Sequence, residues 1–160
     1  WGKGSDGNMI CKAGIWGDDK DKCLATKPTQ SASTPYLDKL VTLGSWMNKY
    51  LQDDDGSLKF ATAAGSKETW LITDAGDGKV YIKSEEGNGR LLEDSSAGMQ
   101  GGKFKSGTVK LLTKGEPPGD WQKWTLEEAD DGKVLITSFF EKQLQDHLGT
   151  AGLSSNKGQW

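Results

Sequence analysis

Trp70-Leu71-Ile72-Thr73-Asp74-Ala75-Gly76-Asp77-Gly78-Lys79-Val80-Tyr81-Ile82-Lys83-Ser84 is the stretch that decides the fold. Two runs with apolar or β-branched residues at alternate positions flank an Asp-Gly pair. Alternation puts one set of side chains on one face of a strand. Asp-Gly accepts the positive φ angles of a tight two-residue turn. The stretch therefore predicts a β-hairpin buried on one side. Just downstream, Gly89-Arg90-Leu91-Leu92-Glu93-Asp94 adds another short element.

The same order of elements recurs. Trp124-Thr125-Leu126 leads through Asp131-Gly132 into Lys133-Val134-Leu135-Ile136, then Lys142-Gln143-Leu144-Gln145-Asp146. Earlier, Lys39-Leu40-Val41-Thr42-Leu43 precedes Lys49-Tyr50-Leu51-Gln52-Asp53. Each of the three blocks sets a Leu two residues before an Asp. Each is followed by a Gly and an apolar residue (Gly56 with Leu58, Gly98 with Met99, Gly152 with Leu153), then by Trp70, Trp124 or Trp160. Leu-to-Leu spacings of 41 and 52, and Trp-to-Trp spacings of 54 and 36, report one period near 45 with uneven loops. The excess in the middle repeat falls around Thr108–Asp120, where Pro117-Pro118-Gly119 marks an inserted loop. Each repeat holds about four short strands, and three give about twelve. No segment sustains helical periodicity, and Glu127-Glu128-Ala129 is too short to count.

Three four-strand repeats of this length resemble the β-trefoil superfamily, in which six strands close a short barrel and six form a cap. In detail the chain is similar to fascin and hisactophilin domains, which repeat an aromatic strand, a Gly-Lys-Val strand and a Lys-x-Leu element. Here these read Trp70-Leu71-Ile72, Gly78-Lys79-Val80 and Gly89-Arg90-Leu91-Leu92, then Trp124-Thr125-Leu126, Gly132-Lys133-Val134 and Lys142-Gln143-Leu144. Gln122-Lys123-Trp124 also resembles the Gln-x-Trp signature of ricin-type lectin trefoils. The equivalent positions read Glu68-Thr69-Trp70 and Gly158-Gln159-Trp160. The expected organisation is all-β: an N-terminal extension over 1–37 and a β-trefoil domain over 38–160, which the resemblance covers.

The net charge is −3, from 20 Lys and Arg against 23 Asp and Glu, with the signs interleaved. No basic face favours nucleic acid. No apolar run approaches the ~20 residues that span a bilayer. Cys11 and Cys23 bracket an acidic loop with Asp18, Asp19 and Asp21. A disulfide there would add about 2–3 kcal/mol and imply a secreted protein. Two free thiols would imply a cytoplasmic one. The chain begins at Trp1 without a Met, as removal of a leader or pro-segment would leave it, or a shortened version.

No catalytic constellation emerges, so the chain reads as a non-enzyme without cofactor. The single His147 follows Asp146, but adjacency makes no dyad. The runs Asp53-Asp54-Asp55-Gly56 and Asp18-Asp19-Lys20-Asp21 match no EF-hand loop and read as solvated turns. Asp53, Asp94 and Asp146 recur at equivalent positions, as a ligand pocket repeated three times or as turn-forming residues. Trp70, Trp124 and Trp160 keep the repeat period and read as core. Trp121 breaks it, and with Gln122 beside the inserted loop it is the candidate for stacking on a sugar. The leading reading is a secreted carbohydrate-binding module whose partner is a glycan. The alternatives have a protein partner: a structural or fascin-like filament-binding subunit, or a protease inhibitor acting through Thr108–Asp120. The last repeat stops at Trp160, where the others continue for a strand. Trp1–Leu37, of this or a neighbouring molecule, is expected to complete the open edge, and a neighbour's segment would drive self-assembly.

Overall fold

The hairpin over Trp70–Ser84 forms as the alternation requires. In the computed structural model, a long strand Thr69–Gly76 pairs antiparallel with Lys79–Ser84, matching Ile72 with Ile82 and Trp70 with Ser84. Trp70, Ile72, Val80 and Ile82 point to one face and are buried. Asp77 and Gly78 make the turn with φ of 54° and 72°. Trp124–Glu128 pairs in the same way with Val134–Ser138, matching Leu126 with Ile136 and Trp124 with Ser138, but through a longer connection whose 3-10 turn Asp130–Gly132 holds the positive φ at Asp131 and Gly132. Residues 34–86, 89–95 and 108–155 are described, together with the backbone of four short strands named below. Cys11, Cys23, Trp16, Gly98 and Trp160 lie outside them.

In chain order the strands are β1 (Gly2–Lys3), β2 (Met9–Ile10), β3 (Leu40–Thr42), β4 (Tyr50–Asp54), β5 (Ser57–Ala61), β6 (Thr69–Gly76), β7 (Lys79–Ser84) and β8 (Leu92–Asp94). There follow β9 (Met99–Gln100), β10 (Lys103–Phe104), β11 (Val109–Leu111), β12 (Trp124–Glu128), β13 (Val134–Ser138), β14 (Gln143–His147) and β15 (Thr150–Ser154). The chain divides into two compact units, Trp1–Gln30 and Ser31–Trp160. The first contains the antiparallel pair β1–β2. Everything below concerns the second.

That unit is built on threefold repetition. Ser45, Ser84 and Ser138 each donate a backbone N–H to the carbonyl of Lys49, Arg90 or Lys142, at 2.7, 2.8 and 2.7 Å. Asp38, Asp77 and Asp131 each take a positive φ, of 57°, 54° and 61°, three residues before a valine. These landmarks fix the phase: Val41, Val80 and Val134 are equivalent. The repeats therefore align on valine, and Lys39 falls opposite Gly78 rather than Lys79. Likewise Gly56 is matched by Gly149, each three residues after its Asp, and not by Gly152.

The core is one cluster of Leu51, Trp70, Ile72, Val80, Ile82, Leu92, Trp124 and Leu126. Both tryptophans are fully buried, and each indole donates to a leucine carbonyl: Trp70 to Leu51 at 3.0 Å and Trp124 to Leu92 at 2.9 Å. A buried indole N–H needs such a partner. The Leu of each Leu-x-Asp block thus serves twice, packing by its side chain and accepting by its backbone. Tyr36 and Leu37 pack against the same core.

Strands β3, β6, β7, β12 and β13 lie side by side in that order, and the sheet runs on through β14 to β15. The hairpins β4–β5 and β8–β11 lie outside this series. Inside it, β6 fills the place between β3 and β7, and β12 the place between β7 and β13. Among the described residues no strand lies between β13 and β3.

Candidate functional site

The three repeated aspartates are held inside the fold. Asp53, Asp94 and Asp146 are 2%, 0% and 4% exposed. Asp53 Oδ1 accepts the Gly56 N–H at 2.7 Å, and Asp146 Oδ1 accepts the Gly149 N–H at 2.6 Å. Each closes a hairpin whose two turn residues have positive φ: Asp55 and Gly56, then Leu148 and Gly149. Asp53 is also gripped from the next repeat, both oxygens lying 3.1 Å from one Arg90 guanidinium nitrogen. Lys49 stands in the same repeat position as Arg90, and its Nζ comes within 3.5 Å of the Cβ position of Gly149, on the Asp146 turn.

The acidic run around Asp53 is neutralised by the protein itself. Arg90 reaches Asp55 at 3.3 Å as well as Asp53. Lys59 and Lys67 both bond Asp54. Hydrogen bonds from these two lysines, reinforced by their charge, pull the Asp54 carboxyl down to about 2. The same contact with Asp54 raises Lys67. No group of three metal-ligating side chains occurs among the described residues. His147 is exposed at the end of β14.

Trp121 and Gln122 part ways although they are neighbours. Both lie in a 3-10 turn, Asp120–Gln122, that leads into β12. Gln122 is 4% exposed and spent at both ends: its amide oxygen accepts the Gly119 N–H at 2.6 Å, and its NH2 donates to buried Glu93. Lys110 lies 3.1 Å from the same Glu93 carboxylate. With Gln122 pinned, the turn presents Trp121 outward at 43% exposure.

Trp121 is not isolated. Its ring meets Phe140 edge-on at 6.5 Å, and Phe140 meets Phe139 at 5.5 Å. Phe139 is 39% exposed, and Lys79 Nζ sits 5.8 Å over its ring. Asp120 and Lys123, paired at 2.8 Å, flank the patch and raise the Lys123 ammonium. Sequence reasoning found Trp121 but missed the two phenylalanines. The signal was there: adjacent aromatics in a β13–β14 turn cannot both face a core.

A cleft of about 1150 Å³ opens elsewhere. Val41, Leu43, Gly44, Ser45 and Trp46 line one wall, and Val134, Leu135 and Ile136 line the other. Gln143, Gln145 and Asp146 also border it.

No protein-family model matches the chain. No curated protein matches it either. Solved structures do. The chain is similar to a designed threefold symmetric protein, ThreeFoil, with a TM-score of 0.62 at 19% identity over 74% of this chain and 91% of that one. It is similar to a salivary protein of the Cysteine and Tryptophan-Rich family from Culex quiquefasciatus, with a TM-score of 0.59 at 21% identity over 75% and 86%. It is also similar to part of an exo-beta-1,3-galactanase from Clostridium thermocellum, with a TM-score of 0.58 at 22% identity over 75% of this chain and 27% of that one. At these identities the likeness speaks for the fold alone. Together with the threefold hydrogen bonds and the repeated valines, it makes this an all-β protein with the β-trefoil fold.

Proposed function

We propose that the chain is a secreted, non-catalytic carbohydrate-binding trefoil module whose sugar stacks on the Trp121 face. The observation that carries this reading is the aromatic cluster of exposed Trp121 and Phe139 with half-buried Phe140 between them, rimmed by Asp120, Lys123 and Lys79. An apolar platform beside a few polar groups is the usual recipe for sugar recognition. Rigid aromatics provide contact area with little rotamer freedom to lose. Gln122 supports the site from below without touching the ligand. Asp53 and Asp146 hold their turns, Asp53 also pairs with Arg90, and Asp94 is fully buried, so one face carries binding rather than three. A trefoil-like portion within a chain named a galactanase is in keeping with a role beside glycans.

The test is a glycan array followed by titration calorimetry. Trp121→Ala should weaken the best glycan at least about tenfold, about 1.4 kcal/mol, while leaving the melting temperature within a degree or two. Retention of full affinity by Trp121→Ala would remove this face as the site. Gln122→Ala should weaken binding and lower stability together, because it frees the turn and strands Glu93.

A further inference from the structure

We infer that the glycan of the Trp121 face carries an acidic group, carboxylate or sulfate, and that a second, smaller cleft beside that face receives the sugar unit bearing it. The inference rests on the sugar reading above and gives its ligand a chemical class. The cleft, about 340 Å³, lies between the β6–β7 hairpin and the loop 112–119. Strand alternation makes the hairpin wall. Ile72, Ile82 and Ser84 turn into the core, so Thr73, Tyr81 and Lys83 turn away from it, with Thr73 opposite Tyr81. The loop supplies the other wall through Lys114, Glu116 and Pro118. It is fastened at both ends. The Leu112 N–H donates to the Leu91 carbonyl at 2.8 Å, and the Gly119 N–H donates to the Gln122 amide oxygen at 2.6 Å. Between them the Glu116 N–H donates to the Thr113 carbonyl at 3.2 Å, in a turn where Gly115 takes a φ of 91°. A wall held in this way has little ordering left to lose on binding.

Charge sets the ligand class. Lys110 and Lys123, on either side of the loop, each spend their charge on a carboxylate, Glu93 and Asp120. Lys83 and Lys114, in the cleft, have no carboxylate within 4 Å among the described residues. Lys83 is also placed by its surroundings. Its stem lies so close across Gly89 that a Cβ there would stand 2.4 Å from Lys83 Cε, and Gly89 takes a φ of 81°. Glu116 is the one carboxylate that lines the cleft, beside the hydroxyls of Tyr81 and Thr73. A bare inorganic anion is drawn by the lysines and repelled by Glu116. A sugar acid separates the two: its anionic group meets the lysines, and its hydroxyls meet Glu116, Tyr81 and Thr73. The volume is at the lower end of the ~300–1,000 Å³ of ligand pockets, so it takes one sugar ring.

The cleft and the aromatic face are neighbours. Pro118 lines the cleft, and Trp121 follows three residues later, its Cα at most about 11 Å away. Tyr81, on the hairpin wall, lies near enough to Lys123 to act on its charge, and Lys123 pairs with Asp120 beside Trp121. A short oligosaccharide thus stacks one ring on Trp121 and sets another in the cleft.

The experiment presents the full chain with matched glycans on an array, each oligosaccharide in a neutral form and with a uronate carboxylate or a sulfate ester. Calorimetry follows on the pair bound best. The expected result is at least about tenfold tighter binding of the acidic member, and the pairs that show it tell carboxylate from sulfate. Lys83→Met and Lys114→Met together should bring that ratio below about threefold, while Trp121→Ala weakens both members and leaves the ratio as it was. Glycans bound without preference for the acidic member overturn this inference and leave the sugar reading standing. A preference that survives the double substitution also overturns it, because the charge is then read elsewhere. So does sodium sulfate that displaces the acidic glycan at equal concentration, in favour of a free-anion site. An array with no bound glycan overturns the sugar reading and this inference together.

Discussion

The Arg90–Asp53 contact shows how much one residue carries here. Asp53 has no exposed side-chain area, and Arg90 comes from 37 residues away to meet it. Removing one partner of a buried pair strands the other charge. Arg90→Ala should therefore cost about 3–5 kcal/mol in urea denaturation. Asp53→Asn in the Arg90→Ala background should recover part of that loss, and strict additivity would argue against the pairing. This contact was not legible in the sequence. Asp53 was visible as a repeated residue, but its partner sits in another repeat, where the equivalent positions are lysines. Asp54 is a different case, partly exposed and held by two lysines. Its carboxyl falls from 3.8 to about 2, so its contribution is complete above pH 3.8 and is lost as pH drops through 2. The expected outcome is that Asp54→Asn flattens the stability profile between those pH values. Identical slopes for both proteins would speak against the lysine contacts. Being at the surface, the effect is small and fades in salt.

Hairpins are the elements that sequence reads best, because strand alternation and turn chemistry are local. The β6–β7 hairpin follows from Trp70–Ser84 almost residue by residue. Repeat phase is harder, since it rests on hydrogen bonds between segments and not on residue identity. Lysine was the visible marker, while valine and a positive-φ aspartate keep the register. The β14–β15 hairpin carries a local conflict. Leu148 holds a φ of 52° while 78% exposed, in the turn position that Asp55 takes in β4–β5. A γ-branched residue there is strained and buries little in return. Leu148→Asn should raise stability by about 1 kcal/mol, seen as a melting midpoint about 3 °C higher. An unchanged or lower midpoint would mean that the leucine makes contacts its exposure does not suggest.

Across the whole molecule the threefold plan is unevenly completed. Leu51 and Leu92 are 1% and 0% exposed, while Leu144, beside the cleft, is only partly buried. Leu51→Ala and Leu92→Ala should each cost about 3–5 kcal/mol, and Leu144→Ala less than about 2, by chemical denaturation. Equal costs at all three would mean that the third repeat packs as tightly as the others. The β-trefoil reading was legible because the period survives in the leucines and tryptophans. Trp121 stood out for the same reason, by breaking it. Phe139 and Phe140 did not, because their place beside Trp121 depends on how two repeats meet. The ion pair between Arg90 and Asp53 also crosses from one repeat to the next, whereas the Trp70–Leu51 bond stays inside one. A single repeat made as a free peptide would keep its indole bond and lose its counterion. It would need a second copy placed head to tail, and a head-to-tail contact that turns by a third of a circle closes after three. Three such peptides would be expected to assemble where one does not, and this chain carries three repeats of that kind in one polypeptide.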